Sequence, residues 1–331
     1  MAATIKDIAK IAKISTATVS RILSDKKGHF SEQTAIKVRK IAKELGYHKN
    51  SAAAELVTKK SNVIAVIVNS VNTNFSKQII QGIEKTAVKN SYNVIILDVE
   101  QNNLLSEQRA IKTILERPAY GILVLSVDLT LSSRQMLNDA QIPYLFISIA
   151  LPQNSNFIAS NDFQIGYQAA SFLINKGHRK IGLAAVDPQT FIGQQRIAGY
   201  QQALQDHEII PDDNWIQPGN FTYQSGIAAM NNYYQLASIT AVIGGSDLAS
   251  IGLLNAATNL DLKIPADLSI LSIDGTFLTQ IVQPPLSCVK QAFYKMGLLG
   301  ADLLLNEKQK VSHSIYLPFK IIERDSISTI K

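Results

Sequence analysis

Residues 4–23 read T-I-K-D-I-A-K-I-A-K-I-S-T-A-T-V-S-R-I-L, and this stretch decides how the first part of the chain folds. Thr4 followed three residues later by Asp7 is the capping pattern of a helix start, which predicts a first helix over residues 5–12. Ser15 is a natural N-cap for a second helix. The stretch therefore predicts two short helices separated by about three residues, as in a helix-turn-helix.

The second predicted helix has an apolar stripe on one side and small polar residues on the other. Its inward stripe consists of Val19, Ile22 and Leu23. The residues that face outward are Thr16, Ala17, Thr18, Ser20 and Arg21. Small side chains let a helix approach base edges in the major groove of DNA, and Arg21 can reach guanine or phosphate.

A third helix is predicted from Ser31 to about Leu45. Its apolar positions recur at helical spacing and close a three-helix core, with Val38, Ile41, Ala42 and Leu45 as the inward residues. Gly46 is placed to end the helix.

Charge is divided unevenly along the 331 residues. Residues 1–60 hold 13 Lys and Arg against five acidic side chains, giving +8, whereas the rest holds 19 against 21, giving −2. A basic head followed by a nearly neutral body indicates a polyanionic partner for the head alone.

Composition narrows the class of protein further. The apolar fraction is 46%, enough for two or three domains, and no apolar run approaches the ~20 residues of a bilayer span. Because M-A-A-T-I-K-D-I-A-K lacks a secretory apolar stretch, we expect a soluble, cytoplasmic protein. The single cysteine, Cys288, excludes a disulfide framework and a thiolate metal cage, and its setting P-P-L-S-C-V-K predicts a buried strand.

From Val63 onward, β-branched runs alternate with helical stretches. The first set is VIAVIV, NVIILD, GILVLS and YLFISI, with helices near 76–90 and 106–116. The second set is KIGLAAV, AVIGGS and LSILSID. This alternation predicts two similar α/β lobes, each built on a parallel sheet with crossover helices.

Polar and aromatic residues follow or lie near the ends of these runs, where open α/β sheets bind their ligands. The candidates for a ligand site are Phe75, Ser148, Asp162, Arg196, Phe221, Ser246, Asp247 and Asp274. Carboxylates, an arginine and flat aromatic rings suit the hydroxyls and CH face of a sugar. Structural alternatives stay open: Asp162 and Asp247 as helix caps, Phe221 as core, and Arg196 in a surface ion pair.

No catalytic constellation is present in the sequence. The five histidines are scattered, and H-E-x-x-H, G-x-S-x-G and G-x-x-x-x-G-K are all missing. The first strand is followed by N-S-V-N-T-N, not by a glycine-rich turn, which argues against a dinucleotide cofactor. We therefore expect neither an enzyme nor a bound metal or cofactor. A transport binding protein would need a signal peptide and would have no basic head.

The stretch 4–23, followed by K-V-R-K-I-A-K-E-L-G-Y at 37–47 and N-S-A-A-A-E-L at 50–56, resembles the lactose-repressor (LacI/GalR) family almost position by position. The resemblance covers essentially the whole chain. It implies a small all-α helix-turn-helix head and an α/β core of two lobes like those of periplasmic binding proteins. The implied boundaries are 1–49 for the head, 50–60 for the hinge and 61–331 for the core, with an N-lobe of about 61–160 and 292–320 and a C-lobe of about 161–291 and 321–331.

The resemblance also implies which residues touch DNA. The second helix would read the major groove, and a hinge helix would insert Leu56 into the minor groove, a wedge that unstacks one base step. The implied DNA-binding residues are Thr4, Ser15, Thr16, Ala17, Thr18, Ser20, Arg21, Asn50, Ala53 and Leu56. The sequence departs from the family pattern at Lys13, where glycine is usual, at Lys49, where proline is common, and at Glu55, an acid near phosphates.

As a function, the resemblance implies a sequence-specific repressor of a carbohydrate-utilisation operon, controlled by a small sugar or sugar phosphate. Arg196, Phe221, Ser246, Asp247 and Asp274 would line or border the effector pocket. A global catabolite-control regulator that responds to a phosphocarrier protein, or a repressor that responds to a nucleobase, remain alternatives. We expect a homodimer on double-stranded DNA with an approximate inverted repeat, since no leucine heptads follow I-I-E-R-D-S.

Overall fold

The computed structural model describes residues 3–24, 28, 30–47, 61–69, 74–100, 103–117, 119–151, 156–235, 238–306 and 314–330. The chain divides into two compact units, Met1–Ser61 and Asn62–Lys331.

The first unit is a three-helix cluster formed by α1 (Ile5–Ala12), α2 (Thr16–Leu23) and α3 (Glu32–Glu44). Thr4 and Ser15 cap their helices as predicted, and Ser31 caps α3; the three side chains accept hydrogen bonds from backbone N–H groups in the first turns. The buried side chains are apolar and come from all three helices: Ile8, Ala9, Ala12, Val19, Ile22, Ala35, Val38, Ile41 and Ala42. Caps and apolar periodicity therefore specify this cluster together.

Leu45 does not join this core, contrary to the prediction. It is 37% exposed because it is the C-cap residue of α3, beyond the last helical position. Gly46 then turns the chain with a φ of 60°, and Tyr47 packs against the cluster instead.

Lys13 closes α1 in the left-handed conformation, with φ 59° and ψ 44°, and its backbone N–H donates to the carbonyl of Ala9. This is the turn position at which glycine usually stands, because a Cβ atom strains left-handed backbone. Lys13 therefore makes the turn between α1 and α2 at a conformational cost.

Replacing Lys13→Gly is expected to stabilise the first unit by about 1 kcal/mol, since the strain of the Cβ atom outweighs the added freedom of the unfolded chain. Hydrogen exchange of the α1 and α2 amides in the full-length protein measures this change. The matched control is Lys10→Gly, an exposed position inside α1, which should destabilise by about 1 kcal/mol. If Lys13→Gly and Lys10→Gly changed the stability of the first unit in the same direction, the assignment of strain to Lys13 would be contradicted.

The second unit contains two lobes, each built on a six-stranded sheet. The N-lobe sheet is parallel throughout, in the order β11-β5-β4-β3-β1-β2. Its strands are β1 (Val63–Val68), β2 (Asn93–Asp98), β3 (Gly121–Leu125), β4 (Tyr144–Ile147), β5 (Phe157–Ala159) and β11 (Ser314–Tyr316). Its helices are α4 (Ser76–Lys89), α5 (Leu104–Glu116), α6 (Leu131–Asp139) and α12 (Phe293–Leu305).

The C-lobe sheet has the order β12-β10-β9-β8-β6-β7, and its edge strand β12 runs antiparallel to β10. Its strands are β6 (Ile181–Val186), β7 (Ile216–Pro218), β8 (Ala241–Gly244), β9 (Ser269–Asp274), β10 (Ser287–Lys290) and β12 (Lys320–Ile322). Its helices are α7 (Asp162–Asn175), α8 (Phe191–Asp206), α9 (Tyr223–Gln235), α10 (Asp247–Asn259) and α11 (Leu278–Ile281), with a 3₁₀ turn at Asp213–Trp215. Cys288 is buried on β10, as predicted, and burial raises the pKa of its thiol.

The chain passes between the lobes at three places: between β5 and α7, between β10 and α12, and between β11 and β12. Central strands such as β1, β3, β6 and β9 are buried almost from end to end, since helices cover both faces of a parallel sheet. Each sheet therefore has an apolar layer on each side. The three crossings connect the lobes beside the carboxyl ends of their strands.

His178 joins three segments of the C-lobe. Its Nδ1 lies 3.0 Å from Oγ1 of Thr240 and its Nε2 lies 3.1 Å from the carbonyl oxygen of Ser328. The side chain is 1% exposed, and burial lowers the pKa of the imidazole below its ordinary value. The folded chain therefore favours neutral His178.

Because the unfolded chain binds the proton more readily, the free energy of unfolding should fall as the pH drops below about 6.5. The stability advantage of the natural chain over His178→Gln should be constant above this pH and shrink below it. Urea unfolding between about pH 5 and pH 8 measures the difference. His207→Gln, at the exposed end of α8, is the control, and identical profiles for the two variants would refute the role of His178.

Candidate ligand cavity and DNA-binding surface

A cavity lies between the two lobes at the carboxyl ends of their strands, as expected for open α/β sheets. Its volume is about 820 Å³, including the space open to solvent at its mouth. The N-lobe contributes Asn69, Asn74, Phe75, Ser126, Asp128, Ser148 and Ile149. The C-lobe side contributes Thr190, Ile192, Arg196, Asn220, Phe221, Ser246, Leu248, Asp274 and Gln291.

Arg196 on α8 reaches the cavity wall as half of a buried ion pair. Its Nε donates to Oδ1 of Asp162 at 2.8 Å, and its Nη1 donates to the carbonyl oxygen of Gly245 at 2.8 Å. Arg196 is 6% exposed and Asp162 is 7% exposed, so the surface ion pair considered from the sequence is excluded. Burial raises the pKa of the Asp162 carboxyl, and the neighbouring Arg196 opposes that rise.

The close approach of α7 and α8 makes this ion pair possible. Gly166 on α7 lies against the backbone of Arg196, and Gly199 on α8 lies against the carbonyl oxygen of Phe163. A methyl group at either glycine would overlap backbone atoms of the other helix. The two glycines therefore set a spacing at which Asp162, in the first turn of α7, meets Arg196.

Asp274 ends β9 with a φ of 110° and faces the cavity. Nε2 of Gln291 donates to its Oδ1 at 2.9 Å, and the backbone N–H of Gln291 donates to its carbonyl oxygen at 3.1 Å. Burial raises the pKa of the Asp274 carboxyl well above its ordinary value, while Arg196 acts in the opposite direction. Because Gln291 lies in the crossing after β10, it links the cavity floor to a connection between the lobes.

Asp247 lies behind the cavity and holds the loop after β9. Its carboxylate accepts hydrogen bonds from Oγ of Ser272 at 2.6 Å and from the backbone N–H groups of Gly275 and Thr276 at 3.2 and 2.6 Å. The residue is fully buried; burial raises the pKa of the carboxyl and these hydrogen bonds lower it. The cap of α10 is Ser246, so Asp247 is a first-turn residue, not a cap.

Two aromatic rings, one from each lobe, line the cavity. Phe221 has a left-handed backbone, with a φ of 62°, and its ring centre lies 5.9 Å from the guanidinium carbon of Arg196. It also packs against the C-lobe core, so the core alternative is part of its role. Phe75 stacks on Phe293, with ring centres 4.6 Å apart and planes 15° apart.

Several lining residues were not among the sequence candidates. Ser126 and Asp128 follow β3, so the rule of strand carboxyl ends would have found them had it been applied to every strand. Asp128 pairs with Nη2 of Arg134 at 2.9 Å. Oγ of Ser126 is buried with no hydrogen-bond partner within the described part of the chain. Gln291 follows β10 and could have been found by the same rule.

The structure brings six of the eight sequence candidates to the cavity wall: Phe75, Ser148, Arg196, Phe221, Ser246 and Asp274. The other two, Asp162 and Asp247, lie behind it and support Arg196 and the loop after β9. Whether the six bind an effector stays a prediction. Within the described ranges, no group of three or more His, Cys, Asp or Glu residues could hold a metal ion.

Two of the predicted DNA-contacting residues, Ser15 and Thr4, use their side chains to cap helices. Oγ of Ser15 accepts from the backbone N–H of Thr18 at 3.1 Å and lies 2.9 Å from its Oγ1, and Thr4 caps α1. Thr16, Ala17 and Arg21 are exposed, and Ser20 is half-exposed. The predicted contacts Asn50, Ala53 and Leu56 lie outside the described residues. Base readout is therefore best tested at the exposed positions of α2.

None of the helices described is long and apolar enough to cross a membrane.

A helix-turn-helix unit followed in the chain by a two-lobed α/β unit with a cavity at its strand ends defines a class of two-domain transcription regulator. Residues 4–50 match the bacterial regulatory proteins of the lacI family, and residues 170–327 match the periplasmic binding protein-like domain. The chain belongs to the lacI family of DNA-binding transcriptional repressors. The predicted family, fold class and sequence-specific DNA-binding function are confirmed.

The relatives match 93% or more of this chain. The transcriptional repressor CytR of Escherichia coli K12 is 33% identical over 93% of this chain and 90% of its own length. The ribose operon repressor of Haemophilus influenzae is 29% identical over 99% of this chain and its own full length. The lac repressor dimer bound to operator and the anti-inducer ONPF superimposes with a TM-score of 0.89 at 25% identity, covering 99% of this chain and 100% of that chain. These relatives are transcription regulators.

Proposed function

We propose that this repressor controls a carbohydrate-utilisation operon and that a small sugar, bound in the cavity between the lobes, changes its affinity for the operator. The main observation in support of the proposal is that polar groups from both lobes and two aromatic rings line one cavity. On this proposal the protein acts in the cytoplasm and catalyses no reaction. It needs no cofactor.

The cavity suits a sugar because it offers both kinds of partner that a sugar needs. Asp274 and Asp128 can accept hydrogen bonds from hydroxyl groups, whereas Arg196 and the amides of Asn69 and Asn220 can donate them. Phe75 and Phe221 offer flat surfaces to the CH face of a sugar ring. The ribose operon repressor and the lac repressor complex with an anti-inducer are relatives that support a small-molecule effector.

Control would work by a shift between two arrangements of the lobes. The cavity wall comes from both lobes, so a ligand that prefers one arrangement favours it by the difference in its two affinities. We propose that the shift reaches DNA through a hinge at 50–60, which joins the head, 1–49, to the core, 61–331. In the core, the N-lobe (about 61–160 and 292–320) would move against the C-lobe (about 161–291 and 321–331).

The operator should be an approximate inverted repeat read by a homodimer. One helix-turn-helix unit reads only a few base pairs, so two units in register are needed for specificity. Two identical units related by twofold symmetry match a palindromic site. The lac repressor relative is a dimer bound to its operator.

The test selects a binding site from random duplexes with the full-length protein and then adds sugars to the complex. We expect an inverted repeat to be enriched and at least one sugar to change its affinity by about tenfold or more, the usual size of allosteric coupling. Fluorescence anisotropy of a labelled duplex measures both. Enrichment of no duplex would refute DNA readout, and an operator indifferent to all sugars would refute the effector class.

A nucleobase is the second candidate effector, and the placement of Phe75 and Phe221 on opposite lobes favours it. Two aromatic rings across one cavity can hold a planar base between them. The same titration therefore includes free purines and pyrimidines, and a response to these alone would replace the sugar with a nucleobase.

A further inference from the structure

We infer that the effector is an uncharged polyhydroxyl compound, that sugar phosphates are excluded from the cavity, and that Asp128 determines this specificity. The inference rests on the proposed function of the cavity as the effector site.

The charges around the cavity favour a ligand without negative charge. The charged residues among those described in its lining are Asp128, Asp274 and Arg196. Asp162 lies directly behind Arg196 and is hydrogen-bonded to it. The lining and the residue directly behind it therefore hold three carboxyl groups and one guanidinium group, and no lysine lines the described wall.

Arg196 is not arranged as a phosphate clamp. Nε and Nη1 are already occupied by Asp162 and by the carbonyl oxygen of Gly245, at 2.8 Å each. A guanidinium group binds phosphate most strongly when it presents two parallel N–H donors. Because Nε is held by Asp162, Arg196 cannot present its Nε–Nη2 fork to a phosphate without breaking the buried ion pair, whereas Nη2 and the second N–H of Nη1 can donate to hydroxyl oxygens.

Asp128 places a carboxylate on the N-lobe side of the cavity, across from Asp274 on the C-lobe side. Its positive partner, Arg134, is not part of the cavity lining and is held by other contacts. Nε of Arg134 donates to the carbonyl oxygen of Leu129 at 2.9 Å, and its guanidinium lies 5.9 Å from the ring centre of Phe146. Arg134 therefore offsets the charge of Asp128 from behind and is not placed to bind a ligand.

Two of the helix N-termini at the cavity, which are common phosphate donors, use a first-turn N–H group for their own side-chain cap. At α8, the N–H of Gly193 donates to Oγ1 of Thr190 at 3.1 Å. At α10, the N–H of Ala249 donates to Oγ of Ser246 at 3.1 Å. These caps leave fewer backbone N–H donors for an anion. A polyol is less affected, because each of its hydroxyl groups needs only one donor or acceptor.

The test compares matched pairs by isothermal titration of the full-length protein: ribose with ribose 5-phosphate, glucose with glucose 6-phosphate, and sucrose with sucrose 6-phosphate. In at least one pair the unphosphorylated member should bind about 100-fold more tightly, as expected when two negative charges are brought among carboxylates. Tighter or equal binding of the phosphorylated member would overturn the inference and leave the cavity as an effector site. Binding of no member of any pair would instead refute the proposed sugar function.

Asp128→Asn tests the discriminating residue. Removing this charge should reduce the ratio of the two dissociation constants, phosphorylated to unphosphorylated sugar, by about tenfold in the responsive pair. The change should come chiefly from tighter binding of the sugar phosphate. Asp139→Asn, an exposed position on α6 outside the cavity lining, removes the same charge and should leave the ratio unchanged. An unchanged ratio in Asp128→Asn, or equal changes in both variants, would show that Asp128 does not set the specificity.

Discussion

Arg196→Ala is expected to abolish the response of the operator complex to sugar while leaving operator binding intact. Arg196 supplies the only guanidinium of the described cavity wall, and it belongs to the second unit, whereas α2 belongs to the first. The substitution also leaves the buried carboxylate of Asp162 without its partner. Breaking a buried ion pair in this way costs about 3–5 kcal/mol, so the free energy of unfolding should fall by a similar amount.

Anisotropy titrations with and without sugar measure the response, and urea unfolding measures the stability. A double variant, Arg196→Met with Asp162→Asn, separates the two effects because it removes both charges. It should recover much of the stability yet remain unresponsive to sugar. A single variant that still responds normally to sugar would refute the role of Arg196 in the cavity.

Binding to the inverted-repeat duplex is expected to weaken by about 10³-fold or more when monovalent salt rises from about 50 to 200 mM. The charge of +8 within residues 1–60 motivates this expectation, because cationic side chains that neutralise phosphates release counterions. Anisotropy titrations over this salt range give the slope of log K against log salt. A flat dependence would mean that the basic head does not contact the phosphate backbone.

Arg21→Ala should weaken binding to the selected duplex by about 1–3 kcal/mol, and it should weaken binding to an unrelated duplex less. The reason is that Arg21 is exposed on α2, among small residues that allow close approach to base edges. Arg109→Ala, on an exposed face of α5 in the second unit, changes the net charge equally and is the control. Equal losses on both duplexes would assign Arg21 to phosphate contact instead of base readout.

The head and the lobe architecture could be predicted because their signals are local. The caps Thr4 and Ser15 and the apolar stripe of α2 specify helix starts and the buried face within a few residues. The alternation of β-branched runs with helical stretches likewise predicts two parallel sheets. The antiparallel edge strand β12 was not predicted, because its pairing with β10 brings together residues far apart in sequence.

The cavity was predicted less completely, because its shape depends on how two lobes face each other. Asp162 and Asp247 follow the expected pattern of polar residues near strand ends, yet both turn away from the cavity to satisfy buried partners. Asp128 follows β3 and lies in the lining, but its position after a strand does not by itself show that its side chain faces the cavity. Strand ends therefore locate a site, whereas tertiary packing decides which side chains face it.

The glycine contact between α7 and α8 has a consequence for how this repressor could acquire a new effector in evolution. Because Gly166 and Gly199 bring backbone against backbone, no side chain at this contact can adjust its conformation to absorb an added methyl group. Lineages that change ligand should therefore vary loop residues such as Asn220 and Asp128, while the glycine pair stays invariant. The scaffold would be inherited unchanged, and selectivity would diverge at the rim of the cavity.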